Sequence, residues 1–128
     1  MKMIDEGIIN GFLTLIKLCG YIVLFSIFTK IILEMFQNSP LILKILLGNI
    51  EISNGIALLK NITMTEKIKY IVTIQFLSFG GLSGIAQTIS LLEAAGLSSY
   101  KYIIGKVILS LLLTLFTIMY VSNFILQL

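Results

Sequence analysis

The chain has 128 residues, of which 58% are hydrophobic and 12% charged, with a mean hydropathy of +1.07 and a formal net charge of +3. That composition needs lipid around it, which excludes a soluble globular domain and implies one all-α integral membrane domain over residues 1–128, multi-pass in the cell membrane. All nine basic residues are lysines placed at segment ends rather than clustered, so they read as interface anchors and exclude a nucleic-acid surface.

There is no His or Trp, and the single cysteine, Cys19, lies in the first apolar run, where a small buried hydrophobe is expected. No disulfide framework, metal-ligand cluster or nucleophile–base set can be assembled. The residues therefore argue against an enzyme, and no catalytic residue, metal or cofactor is expected. The opening MKMIDEG carries two acids ahead of the apolar run and no small-residue cleavage site follows, so the first segment is expected to stay in the mature chain. Lysine in place of every arginine, with abundant Ile and Leu, hints at an AT-rich bacterial genome.

The first element, Gly11 to Phe36, has 26 residues, about 39 Å as a helix, and crosses a hydrocarbon core of roughly 30 Å with tilt. Lys17 and Lys30 lie about one turn inside its ends and are expected to snorkel to the headgroups. The second element, Pro40 to Leu59, reads PLILKILLGNIEISNGIALL and differs in kind. Ser39 as N-cap and Pro40 as first helical residue open a helix that stops at Gly48-Asn49, too soon to cross a membrane. Glu51, Ser53, Asn54 and Gly55 follow, and then a second apolar half, Ile56 to Leu59. Two short halves around a polar middle predict a re-entrant hairpin, tolerated at depth only where protein or a water-filled cavity covers the broken backbone.

The third element opens on Thr63-Met64-Thr65-Glu66, a capping-box pattern, and runs through IVTIQFLSF to Gly80-Gly81. It resumes at about Leu82 and ends near Gly96, with Glu93 in its last turn at the interface, so one span is expected to consist of two half-helices. The fourth, Tyr100 to Leu126, capped by Ser98 or Ser99, is a plain hydrophobic scaffold helix with Tyr100, Lys101, Tyr102 and Lys106 at one interface. With the hairpin re-entrant, five lysines from Lys30 to Lys69 face four on the other side, so the positive-inside rule does not orient the chain. The triplet Asn61-Ile62-Thr63 matches a glycosylation acceptor, a chance pattern in a bacterial protein.

A helix broken at mid-membrane frees N–H groups at the start of its second half and C=O groups at the end of its first, and a cavity reaching them makes a binding site. The half beginning near Leu82 presents its positive end to an anionic or polar group, with Ser78, Ser83 and Gln87 beside it. Glu51 and Asn54, three apart, share a face of the other broken element. The candidate substrate-binding residues are Glu51, Ser53, Asn54, Gly55, Gly80, Gly81, Ser83 and Gln87. A Glu in lipid is a functional residue by default, as a proton or cation site or as an acceptor for substrate hydroxyls. Plainer readings stand beside these: Gly80 and Gly84 as a helix-packing pair in an unbroken helix, and Glu51 at headgroup level on a surface helix.

The stretches LLGNIEISNGIALL, Leu46 to Leu59, and FLSFGGLSGIAQTISLL, Phe76 to Leu92, followed by YKYIIGKVILSLLL, resemble the C-terminal half of the sporulation integral membrane proteins of the nucleoside-recognition, or gate-domain, superfamily. Glu51, Asn54 and Gly55 match its first motif; Phe79, Gly80, Gly81, Leu82, Ser83 and Gln87 match its FGGLS-x-x-x-Q motif, the more specific piece. The resemblance covers about Gly11 to Leu115. It implies one repeat of a fold related to concentrative nucleoside transporters: two full transmembrane helices, a re-entrant hairpin and a broken transmembrane helix. It also implies a permease or permease half moving a small polar or anionic metabolite, dipicolinate-like or nucleoside-like, in a spore-forming bacterium. Family members carry two such units and this chain carries one, which implies a fragment, a homo-oligomer or a second gate-type half as partner. The other reading is a non-transporting membrane assembly or anchor subunit, in which the glycines are packing surfaces. Real backbone breaks at Gly48-Asn49 and Gly80-Gly81 favour transport; continuous helices favour the anchor.

Overall fold

A computed structural model describes residues 2–36 and 40–125. It contains six helices: α1 (Lys2–Met35), α2 (Leu41–Gly48), α3 (Ile52–Lys60), α4 (Glu66–Phe79), α5 (Gly81–Ala94) and α6 (Ser99–Ile125), with no strand among the described residues. Among the described residues, three stretches are long and apolar enough to cross a membrane: Lys2–Met35, Glu66–Ala94 across the α4–α5 junction, and Ser99–Asn123. Large apolar side chains cover the outer faces of α1 and α6, among them Phe12, Leu24, Leu112 and Phe116, an exposure that a lipid-facing surface explains.

α1 begins nine residues before the expected Gly11, because nothing in Lys2–Asn10 breaks a helix and Asp5 favours the first turn. Cys19 is exposed on α1 rather than buried. Ser39, expected as an N-cap, falls outside the described residues. Pro40 is itself the cap, extended at φ −62° and ψ 153°, so the helix proper starts at Leu41.

The expected interruption in the second element is present: α2 stops at Gly48 and α3 starts at Ile52. Gly48 does not end α2 through a left-handed backbone, since the positive-φ glycines are Gly80, Gly81 and Gly96. Its role is steric. A Cβ there would lie 2.6 Å from Phe76 Cζ and 3.0 Å from Gly55 Cα, so two glycines let α2 and α3 fold back on one another over the fully buried Phe76 ring. At the other end of this hairpin, Leu41 and Lys44 line one shallow pocket with Asn61, Ile62 and Thr63, which puts its entry and exit side by side. Each arm is about 12–14 Å long, less than half of a hydrocarbon core.

The capping box at Thr63–Glu66 does not form. Thr65 caps α4 without a side-chain hydrogen bond, which makes Glu66 the first helical residue instead of the third, and its carboxylate takes Lys69 Nζ at 3.1 Å. α4 ends where expected, at Gly80, whose φ of +86° is followed by +66° at Gly81. Two consecutive left-handed residues are accessible to glycine at little steric cost and turn the chain out of one helix and into the next. α5 closes in a Schellman motif, with Gly96 at φ +69°, Gly96 N donating to Glu93 O and Leu97 N to Leu92 O. Glu93 is exposed in that last turn. α4 lies along α6, while α1 packs across α5 and the hairpin.

Candidate functional site

The two interruptions meet. Leu82 N donates to Asn49 O at 2.9 Å and Ser83 N to Ile50 O at 3.0 Å, so amides opening α5 are satisfied by carbonyls from the α2–α3 break. This accounts for how non-helical backbone is carried inside an apolar bundle: each break supplies what the other lacks. It also means that these two amides are occupied by protein. Beside them Asn49 and Gln75 form a reciprocal amide pair, Gln75 Nε2 to Asn49 Oδ1 at 2.8 Å and Asn49 Nδ2 to Gln75 Oε1 at 3.3 Å.

Glu51 is 4% exposed, buried within the protein. Its backbone is extended at φ −141° and ψ 123°, and its carboxylate caps α3: Oε1 accepts from Ser53 N at 3.1 Å and Oε2 from Asn54 N at 2.9 Å. Here the positive end of a half-helix is met by the chain's own carboxylate. The complementary end is met by Lys106, whose Nζ donates to Ser78 O at 3.3 Å in the last turn of α4. Lys106 was expected at an interface with Tyr102. It lies about 10 Å along α6, beside the break, and the Tyr102 hydroxyl donates to Thr88 Oγ1 at 3.2 Å.

Of the sequence-derived candidates, Glu51, Ser53, Gly80, Ser83 and Gln87 line one cleft of about 280 Å³, together with Ile22, Ile52 and Gly84. Ser83 is 3% exposed, and its Oγ accepts from Gln87 Nε2 at 3.1 Å. The other three serve the frame. Asn54 turns to α1, where Nδ2 donates to both the backbone O and the Oγ of Ser26 at 3.0 Å. Gly55 packs on Gly48, and Gly81 lies against Asn49 O, Ile50 O and the Ile52 side chain. Gly84 has open space where a Cβ would be, so within this chain Gly80 and Gly84 do not form a helix-packing pair.

Sequence reasoning took Asn49 only as part of a helix stop and did not single out Gln75, Ser26 and Ile22. A Gln inside IVTIQFLSF and an Asn beside Gly48 were visible as polar residues in apolar runs; their pairing was not. Comparisons with family models, curated proteins and solved structures returned no match, so the geometry of the two breaks carries the functional argument.

Proposed function

We propose that this chain is an integral membrane permease, or one half of one, that moves a small polar solute through the Glu51–Gln87 cleft. The observation that carries this reading is the joining of two interrupted helices around a cleft with a buried carboxylate. Interrupting two helices within the apolar layer, and burying Glu51 beside the junction, is a cost that substrate binding justifies. In this reading α2 and α3 form a re-entrant hairpin, entering and leaving on one side because their outer ends adjoin. The sequence resemblance to the gate-domain sporulation proteins points the same way, with one repeat here and the second supplied by another copy or a partner half. The residues carry no covalent chemistry in this scheme; Glu51, Ser53, Ser83 and Gln87 bind, and the backbone junction is the part that moves.

The anchor-subunit reading keeps one observation in its favour: the breaks satisfy each other's hydrogen bonds, as a purely structural joint would. Uptake separates the two. The full chain is reconstituted in proteoliposomes, alone and with a candidate partner half, and radiolabelled small solutes are offered. Permease function requires saturable uptake that Glu51→Gln and Gly80→Leu abolish. Uptake indifferent to both substitutions, or absent with every partner and solute, would leave the anchor.

A further inference from the structure

We infer that the cleft takes a small ligand bearing an ammonium group, and not an anion; the inference rests on the permease reading and specifies its substrate class. Glu51 is the one ionisable side chain among the residues that line the cleft, and no lysine among the described residues is ion-paired with it. Each of its oxygens accepts one amide N–H, which leaves lone pairs on both for further donors. Gln87 gives one of its two amide N–H groups to Ser83, while its Oε1 takes no hydrogen bond from any described residue. The surplus along this wall is therefore acceptor oxygen on Glu51 and Gln87, with the Ser83 hydroxyl and the second Gln87 N–H as donors beside it.

An anion would need the opposite. Two of the backbone donors that could have served it, the Leu82 and Ser83 amides, are engaged by Asn49 O and Ile50 O. The nearby cation, Lys106, holds Ser78 O and does not line the cleft. Glu51 has no cationic side chain beside it, and a ligand cation offers it charge complementarity as well as donors, which a neutral hydroxyl does not. An ammonium adds up to three directed donors to the charge, matched to acceptors on Glu51 and Gln87. The Ser83 hydroxyl, buried and with no acceptor among the described residues, is left to donate to a polar group elsewhere on the ligand. The volume, just below the roughly 300–1,000 Å³ of pockets for drug-sized molecules, sets the size at a small amine.

The test is titration calorimetry on the full chain in phosphatidylcholine nanodiscs. The probes are methylammonium and 2-aminoethanol, acetate and pyridine-2,6-dicarboxylate, glycerol and uridine, and sodium and potassium ions; uptake of the same probes into proteoliposomes is followed in parallel. The ammonium probes should bind, with 2-aminoethanol the tighter, and Glu51→Gln should weaken them about tenfold or more. Because Glu51 also caps α3, Gln87→Met provides a second variant on an intact helix and should weaken them about threefold or more. An anion or uridine bound in preference to the ammonium probes overturns the ligand class and leaves the permease reading standing. Alkali ions bound as tightly as ammonium overturn it in favour of a bare-cation site. Neither binding nor uptake of any probe overturns both.

Discussion

Replacing Gly55 by Ala is the sharpest probe of the junction. A Cβ at this position would sit 2.5 Å from Gly48 O and 3.0 Å from Gly48 C and Cα, where ordinary contact begins at 3.4 Å. Those are backbone atoms of α2, so no side-chain rotation relieves the overlap, and the two arms of the hairpin must separate. Overpacking of this kind costs about 1–3 kcal/mol. Because α2 leads directly into Asn49 and Ile50, separation also draws their carbonyls from Leu82 N and Ser83 N, at about 1 kcal/mol for each hydrogen bond. Against this, Ala in a helix is favoured over Gly by about 1 kcal/mol. The net destabilisation should be about 2–4 kcal/mol. Gly105→Ala in α6, where nothing lies within 4 Å, is the control and should be neutral or stabilising by up to about 1 kcal/mol. Unfolding by SDS titration from mixed micelles, followed by far-UV circular dichroism, gives both numbers. If Gly55→Ala proves no less stable than Gly105→Ala, the close approach of α2 and α3 and the coupling of the two breaks are both wrong.

Two further outcomes follow from the same joint. Asn49→Leu or Gln75→Leu alone should each destabilise by about 1–3 kcal/mol, because each removes the partner amide's bonds across the joint, Asn49 keeping only its Nδ2 bond to Ile45 O, while the double variant should lose less than the two together; additive losses in the same SDS titration would show that the reciprocal amide pair is not made. Gly80→Ala forces a side chain into a backbone at φ +86° and should lower stability by about 1–2 kcal/mol, whereas Gly84→Ala should not. Equal stability of those two variants would mean that α4 runs straight into α5.

Much of this architecture was legible in the residues alone. Runs of Ile, Leu and Phe long enough to span about 30 Å announce crossing helices without reference to any neighbour, since each helix satisfies its own backbone. Gly80-Gly81 announces its break for an equally local reason: a left-handed pair is a property of those two residues. The polarity of Glu51 amid apolar neighbours marked the second break. What the tertiary structure alone decided is how these local features are used. Gly48 looked like a helix terminator and is a packing surface, because Gly55 and Phe76 arrive against it from elsewhere in the chain. Glu66 looked like a cap and is an ion-pair partner, because the helix starts one residue after Thr65. Lys106 looked like an interface anchor and closes the negative end of α4. The amides at the start of α5 looked free for a ligand and are held by Asn49 and Ile50, more than thirty residues away in sequence. Periodicity and composition report what a residue can do; which partner it meets depends on contacts between distant segments, and those exist only once the helices have packed.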